Sequence, residues 1–176
     1  MTSTAARPAV RVLASPLTAL AALAALAGCS SLPPADAATP VPLRGQFATQ
    51  CAAGAADAGL QLTAFRDAAA WRRQLATLIA APGADAGAAQ RTLAAWRVDF
   101  TAGEAVLLVD AGQRPNPGHR LVLGQPAAQL RGDRLEVRAA VERPPAGSIQ
   151  PQVIVHPCLY LHVGATGFRW VGFAAD

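Results

Sequence analysis

Lysine is absent: all fifteen basic side chains of the 176-residue chain are arginine, set against eleven acids for a formal net charge of +4. The arginines are dispersed, and two of them, Arg7 and Arg11, fall in the N-terminal segment treated below, which leaves the rest of the chain at +2. A nucleic-acid surface needs concentrated basic charge, so no nucleic-acid partner is expected. Also missing are a glycine-rich phosphate loop after a strand, a Cys-x-x-Cys pair and a Gly-x-Ser-x-Gly turn. With them go common sequence marks of nucleotide binding, dithiol chemistry and serine hydrolysis. Asp99, Glu104 and Asp110 read as caps, turn acceptors or arginine partners, and neither an enzyme nor a cofactor is expected. No apolar run reaches the about 20 residues of a lasting transmembrane helix.

The apolar run that is present, Val12 to Ala27, is interrupted by Ser15, Pro16 and Thr18 and follows Arg7 and Arg11. It ends in Leu26-Ala27-Gly28-Cys29, with Ser30-Ser31 behind. A charged start, a short apolar middle and small residues at the end make a secretory signal. The ending resembles a bacterial lipobox, which implies cleavage between Gly28 and Cys29, diacylglyceryl transfer to the Cys29 thiol and acylation of the new amino terminus. Several acyl chains anchor stably where one does not. Ser30 after the lipidated position favours the outer membrane, facing the periplasm. The expected organisation is a signal peptide over 1–28, a lipidated cysteine and flexible Pro-rich tether over 29–42, and a single globular domain over 43–176.

Cys51 and Cys158 remain, and an even pair in an oxidising compartment points to a disulfide. It would close a loop of 107 positions, and in the chain-entropy account such a loop is worth about 4 to 5 kcal/mol less any strain. Two separately buried thiols are the alternative.

Periodicity divides the domain. Gly45–Cys51 and Leu60–Thr63 read as strands, and Trp71, Leu75, Leu78 and Ile79 make one apolar helical stripe stopped at Pro82-Gly83. A second helix is expected over Asp85–Ala95, with Leu93 and Trp96 inward. Ala105–Val109 and His119–Leu123 flank the turn-rich stretch Asp110–Gly118 and read as a hairpin. Ala127–Leu130 and Arg134–Val141 flank Gly132-Asp133; in the second of these, Leu135, Val137 and Ala139 alternate with Glu136, Arg138 and Ala140, one face buried and the other wet. Gln152–Val155, Leu159–Val163 and Phe168–Phe173 complete the strand candidates. The expected class is α+β: seven or eight short, mostly antiparallel strands, sandwich-like or barrel-like, with one or two helices near the N-terminal half of the domain.

The second half resembles the C-terminal domain family of the protease complex subunit PrcB. The likeness rests on the Trp-bearing helix Ala69–Leu78, Val98-Asp99-Phe100 before a strand, Gly112-Gln113-Arg114-Pro115 followed by Gly118-His119, Asp133–Val141, Pro144-Pro145-Ala146-Gly147, and His156-Pro157-Cys158 before the last strands. It covers roughly Gly59 to Val171. The chain departs from the family at His119, Ser148 and Cys158, where an aromatic, a Cys and a Tyr are usual, so a Cys51–Cys158 pair is particular to this chain. The resemblance implies a non-catalytic accessory or binding domain associated with a protease complex.

Two places stand out as sites. The loop containing Arg114, Pro115, Asn116 and His119 is the surface candidate for a protein partner, because rigid Pro-rich loops present side chains at little ordering cost. His156, Cys158, Tyr160 and His162 share one face of a regular strand, with Pro157, Leu159, Leu161 and Val163 on the other. The two histidines would lie about 20 Å apart and cannot share an ion. The first expectation is therefore a membrane-anchored periplasmic lipoprotein acting as a protein-binding accessory module, an envelope protease being one candidate partner, with no metal. The alternative is an envelope metal- or small-ligand-binding lipoprotein using His156/Cys158. Trp71, Trp96, Trp170, Phe168 and Phe173 read as core anchors.

Overall fold

A computed structural model describes residues 37–51, 59–79, 86–164 and 167–175. The signal segment, Gly28, Cys29, the tether up to residue 36 and the Pro82-Gly83 stop lie outside the described residues. The described strands are β1 (Thr39–Pro40), β2 (Leu43–Gln50), β3 (Gln61–Phe65), β4 (Ala105–Asp110), β5 (Arg120–Arg131), β6 (Arg134–Glu142), β7 (Pro157–Val163) and β8 (Trp170–Phe173), with helices α1 (Ala68–Ile79) and α2 (Ala86–Ala94) between β3 and β4. They form two four-stranded sheets, β1-β5-β6-β8 and β2-β7-β4-β3, packed as a sandwich and antiparallel except for the β6–β8 pair. The fold is thus α+β and sandwich-like, not a closed barrel.

The helices sit on one face of the β2-β7-β4-β3 sheet. Asp67 starts α1 by accepting the Ala70 N–H on its carboxylate at 2.7 Å, the usual cap for orphan N–H groups of a first turn. Trp71 and Leu78 point inward with Leu75, while Arg72 and Arg73 stay in water. From α2, Ala89 and Leu93 are buried. The layer beneath them contains Phe65, Val106, Leu108, Cys158 and Tyr160. The opposite face of the sheet supplies Leu107, Val109, Leu159, Leu161 and Val163, which meet Ala128, Leu135 and Val137 of the other sheet. Strands β4 and β7 are therefore covered on both faces, which is why both read as near-continuous apolar runs; each such Leu or Val contributes about 1.5–3 kcal/mol by leaving water.

Several expectations on the chain's path are corrected. The tether does not run to residue 42 as free chain: Thr39–Pro40 pairs with Gln129–Leu130, and Val41 is buried, its N–H donating to the Ala128 carbonyl at 2.9 Å. Pro40 is tolerable because β1 is an edge strand. The expected hairpin of Ala105–Val109 with His119–Leu123 does not exist, since β4 and β5 belong to different sheets. Both edges of strand β4 are hydrogen-bonded, to β3 and to β7, which leaves no edge for β5; the chain between then crosses to the other sheet. The stretches expected as two strands, His119–Leu123 and Ala127–Leu130, fall, apart from His119, in one long strand, β5, whose register shifts between Leu123 and Ala128 around a cis Gln125–Pro126 peptide. Gln152–Val155 is a loop, joined to the rest by a single bridge from Val155 to Arg114.

Candidate functional site

The helix-facing side of β4 and β7 is built by strand alternation. Register places Val106 opposite His162, Leu108 opposite Tyr160 and Asp110 opposite Cys158, and Glu104 and His156 extend the same face at diagonal corners. Both corners are closed by a carboxylate and an imidazole. Glu104 Oε2 lies 2.9 Å from His162 Nε2, and Asp110 Oδ1 lies 2.7 Å from His156 Nε2. Between them, the Tyr160 hydroxyl accepts a bond from the Gln74 amide at 2.8 Å; burial raises the Tyr160 pKa.

The Glu104 corner is fully partnered. Its carboxylate accepts the Asp99 backbone N–H at 2.8 Å and pairs with Arg44 at 2.7 Å, and the His162 ring stacks on Trp96 with centroids 5.9 Å apart. These donors hold the Glu104 pKa below its ordinary value, the Asp99 N–H first and the His162 ring second. Asp99 caps the 3-10 turn Phe100–Ala102 through Thr101 and Ala102, and Gly103 closes it at φ 82°. The Thr101 hydroxyl, then the Ala102 N–H, lower the Asp99 pKa. This corner is a closed polar network that positions β4, with its acceptors already occupied.

The Asp110 corner differs. Cys51, just past β2, and Cys158 on β7 form the disulfide, with Cα atoms 5.6 Å apart. The two Sγ atoms and an Asp110 carboxylate oxygen all lie within 4.8 Å of one another, and among the described residues no other group of three His, Cys, Asp or Glu side chains converges so closely. His156 stands behind Asp110 instead of joining that group. Asp110 Oδ1 also accepts the Gly112 N–H at 2.7 Å, and Cys51 N–H donates to the His156 carbonyl at 2.9 Å. Each histidine thus has its own carboxylate, at opposite ends of the face.

The expected partner loop is turned largely inward. Arg114 exchanges both backbone bonds with Val155, at 2.7 and 2.9 Å, and its guanidinium donates to the Ala111 carbonyl; its Nε is buried without a partner among the described residues. Asn116 Oδ1 accepts the Gly118 N–H at 3.1 Å and meets His119 Nδ1 at 3.1 Å. Only Pro115 and Pro117 of this stretch face solvent. What Arg114 and Gly118 brace is the neighbouring loop 143–156. There Ile149 is 98% exposed, Ile154 70% and Val153 57%, a concentration of uncovered apolar side chains that periodicity could not isolate, because a loop has no period. Trp170, read as a core anchor, is also exposed, at 64%, because it faces outward from the edge strand β8. Trp71 and Phe168 are buried, and Trp96 packs partly buried under the helices.

One cleft opens between the sheets where β1 is too short to cover β5. It measures about 580 Å³ and is lined in part by Leu43, Gln46, Ala48, Leu121, Leu123 and Pro126.

The carboxylate partners of the histidines were not identified from sequence, although a signal was there. Glu104 and Asp110 are six positions apart, as are His156 and His162, so antiparallel pairing of the two apolar runs aligns both pairs at once. No family model, curated protein or solved structure matches the chain.

Proposed function

We propose that the chain is a lipid-anchored periplasmic lipoprotein, attached through Cys29 at the outer membrane, whose domain holds a protein partner without itself catalysing a reaction. The observation that carries the binding role is the loop 143–156, where Ile149, Val153 and Ile154 are left in water although the loop is tied down at both ends. Its far end is bonded to Arg114, and its near end packs on Gly118, whose position leaves no room for a side chain beside Pro144 and Gln150. Exposed apolar groups on a loop already ordered lose little entropy when a partner covers them. Arg143, exposed at the start of the loop, suits a partner surface with an apolar centre and an acidic rim. The resemblance to the PrcB family makes an envelope protease the first candidate.

The test is crosslinking in intact cells, followed by recovery of the tagged chain from membranes. A defined partner is expected with the wild type and is expected to be lost from the Ile149→Asp/Ile154→Asp variant, while that variant keeps its melting temperature and its membrane attachment. Equal recovery with both forms, or no partner with either, would remove the proposal.

A further inference from the structure

We propose that Cys51, Cys158 and Asp110 constitute a redox-gated zinc site: closed while the cysteines are bridged, and competent to hold one Zn²⁺ once the bridge is reduced. The inference is independent of the partner-binding reading. It rests on the one place among the described residues where two sulfurs and a carboxylate oxygen converge within 4.8 Å.

The geometry suits the ion. A tetrahedral zinc with thiolates at about 2.3 Å and a carboxylate oxygen at about 2.0–2.2 Å separates its ligand atoms by roughly 3.3–3.8 Å. With Cα atoms 5.6 Å apart, Cys51 and Cys158 can part to that distance by side-chain rotation. The three donors come from adjoining parts of one sheet: Cys158 and Asp110 are direct cross-strand partners, and Cys51 lies one residue beyond Gln50, the partner of Pro157. Asp110 is already oriented. The hydrogen bonds from Gly112 and His156 both fall on Oδ1, which fixes the carboxylate beside the two sulfurs. Hydrogen bonds onto a ligand carboxylate, here from Gly112 and His156, are the usual outer-shell support of a metal site.

Access also fits. The Asp110 side chain is 23% exposed and Cys51 is half-buried, while Cys158 lies in the core. Water can therefore supply the fourth ligand, and a reductant meets Cys51 first. A dithiol attacks Cys51 Sγ as thiolate, the S–S bond breaks and Cys158 leaves as thiolate. The dithiol's second sulfur then displaces Cys51, so two electrons pass to the bridge and the dithiol ends as a disulfide. Two protons finish on the Cys51 and Cys158 thiols. Zinc displaces both protons on binding, because thiolate is the ligating form. Reoxidation by an external disulfide reverses the exchange: its S–S bond breaks and takes up the two electrons, it leaves as two thiols, the Cys51–Cys158 bond re-forms and the ion is expelled. The site would report reducing conditions in a compartment that keeps it closed.

The experiment uses the full chain carrying Cys29→Ser, so that only two thiols are present. Oxidised and dithiol-reduced forms, freed of reductant, are titrated with Zn²⁺ against a chromophoric chelator. One equivalent is expected for the reduced form and none for the oxidised form, with at least about tenfold weaker binding in Asp110→Asn, the scale seen when support of a metal site is removed. Zinc-edge X-ray absorption of the reduced wild-type site should fit two sulfurs and two oxygen or nitrogen atoms, whatever the folding of the variant. Equal zinc in both redox forms, binding untouched by Asp110→Asn, or a shell without two sulfurs would overturn the proposal.

Discussion

Glu104 and His162 meet at 2.9 Å across the β4–β7 pair, and Asp110 and His156 repeat the relationship at the far end at 2.7 Å. The strand between the two carboxylates is entirely apolar, Ala105 to Val109. The two ends of the most deeply buried ladder are thus marked by polar pairs, which pin its register, since a one-residue slip would turn both carboxylates to the opposite face, into the core between the sheets.

Acid should weaken the fold through Glu104. Its folded pKa is depressed below the ordinary 4.5 by the Asp99 N–H and the His162 ring. A depressed carboxyl contributes stability that is complete above the unfolded value and is lost as pH falls through the lower folded value. Glu104→Gln should therefore lower the urea midpoint at neutral pH, and its deficit relative to wild type should shrink below pH 4.5. A deficit that stays constant down to about pH 3, well under the ordinary carboxyl range, would contradict the assignment. Asp99 and Glu136, also depressed, leave the variant some acid sensitivity of its own.

The two disulfide cysteines should respond unequally to serine. Losing the bridge costs about 2–5 kcal/mol in either case. Cys158 is 1% exposed among Trp71, Tyr160 and Leu108, so its replacement also buries a hydroxyl, adding about 1–3 kcal/mol. Urea unfolding should rank wild type above Cys51→Ser and Cys51→Ser above Cys158→Ser; equal values would contradict the packing described.

Gly118→Ala should loosen the loop end of the sandwich. An added Cβ would stand 2.7 Å from the Pro144 ring and 2.9 Å from the Gln150 side chain, and a proline ring cannot swing aside. Such overpacking costs about 1–3 kcal/mol. Limited proteolysis should then cut within 143–156 sooner than in wild type, with the sheets still intact by circular dichroism. Unchanged cleavage would mean that Gly118 does not brace the loop.

The proposed anchor has its own measurement. Metabolically supplied palmitate should label the wild-type chain, and Cys29→Ala should lose both the label and membrane partition. A variant that still sediments with membranes would mean that something other than an acyl chain holds the protein there.

The alternation of β6 and β7, the Trp71 helix and the Gly132-Asp133 turn were legible in sequence because each depends on neighbours a few positions away. The hairpin was misread for the complementary reason. Turn residues Asn116 and Gly118 do fold back locally, with Asn116 Oδ1 accepting the Gly118 N–H, but turn chemistry carries no information on which sheet receives the next strand. Likewise the sequence could not show that the Arg114 backbone pairs with Val155 or that Asn116 Oδ1 bonds Gly118 and meets the His119 ring.

Sequence alone thus determined the α+β class, the strand faces and the Cys51–Cys158 pairing expectation, because periodicity and composition are local properties. Tertiary structure decided that β4 and β5 part into different sheets, that Asp110 joins the cysteines, and that Ile149 and Ile154 are among the apolar side chains left in water. Those outcomes depend on which distant surfaces cover one another, and burial is a property of the assembled chain.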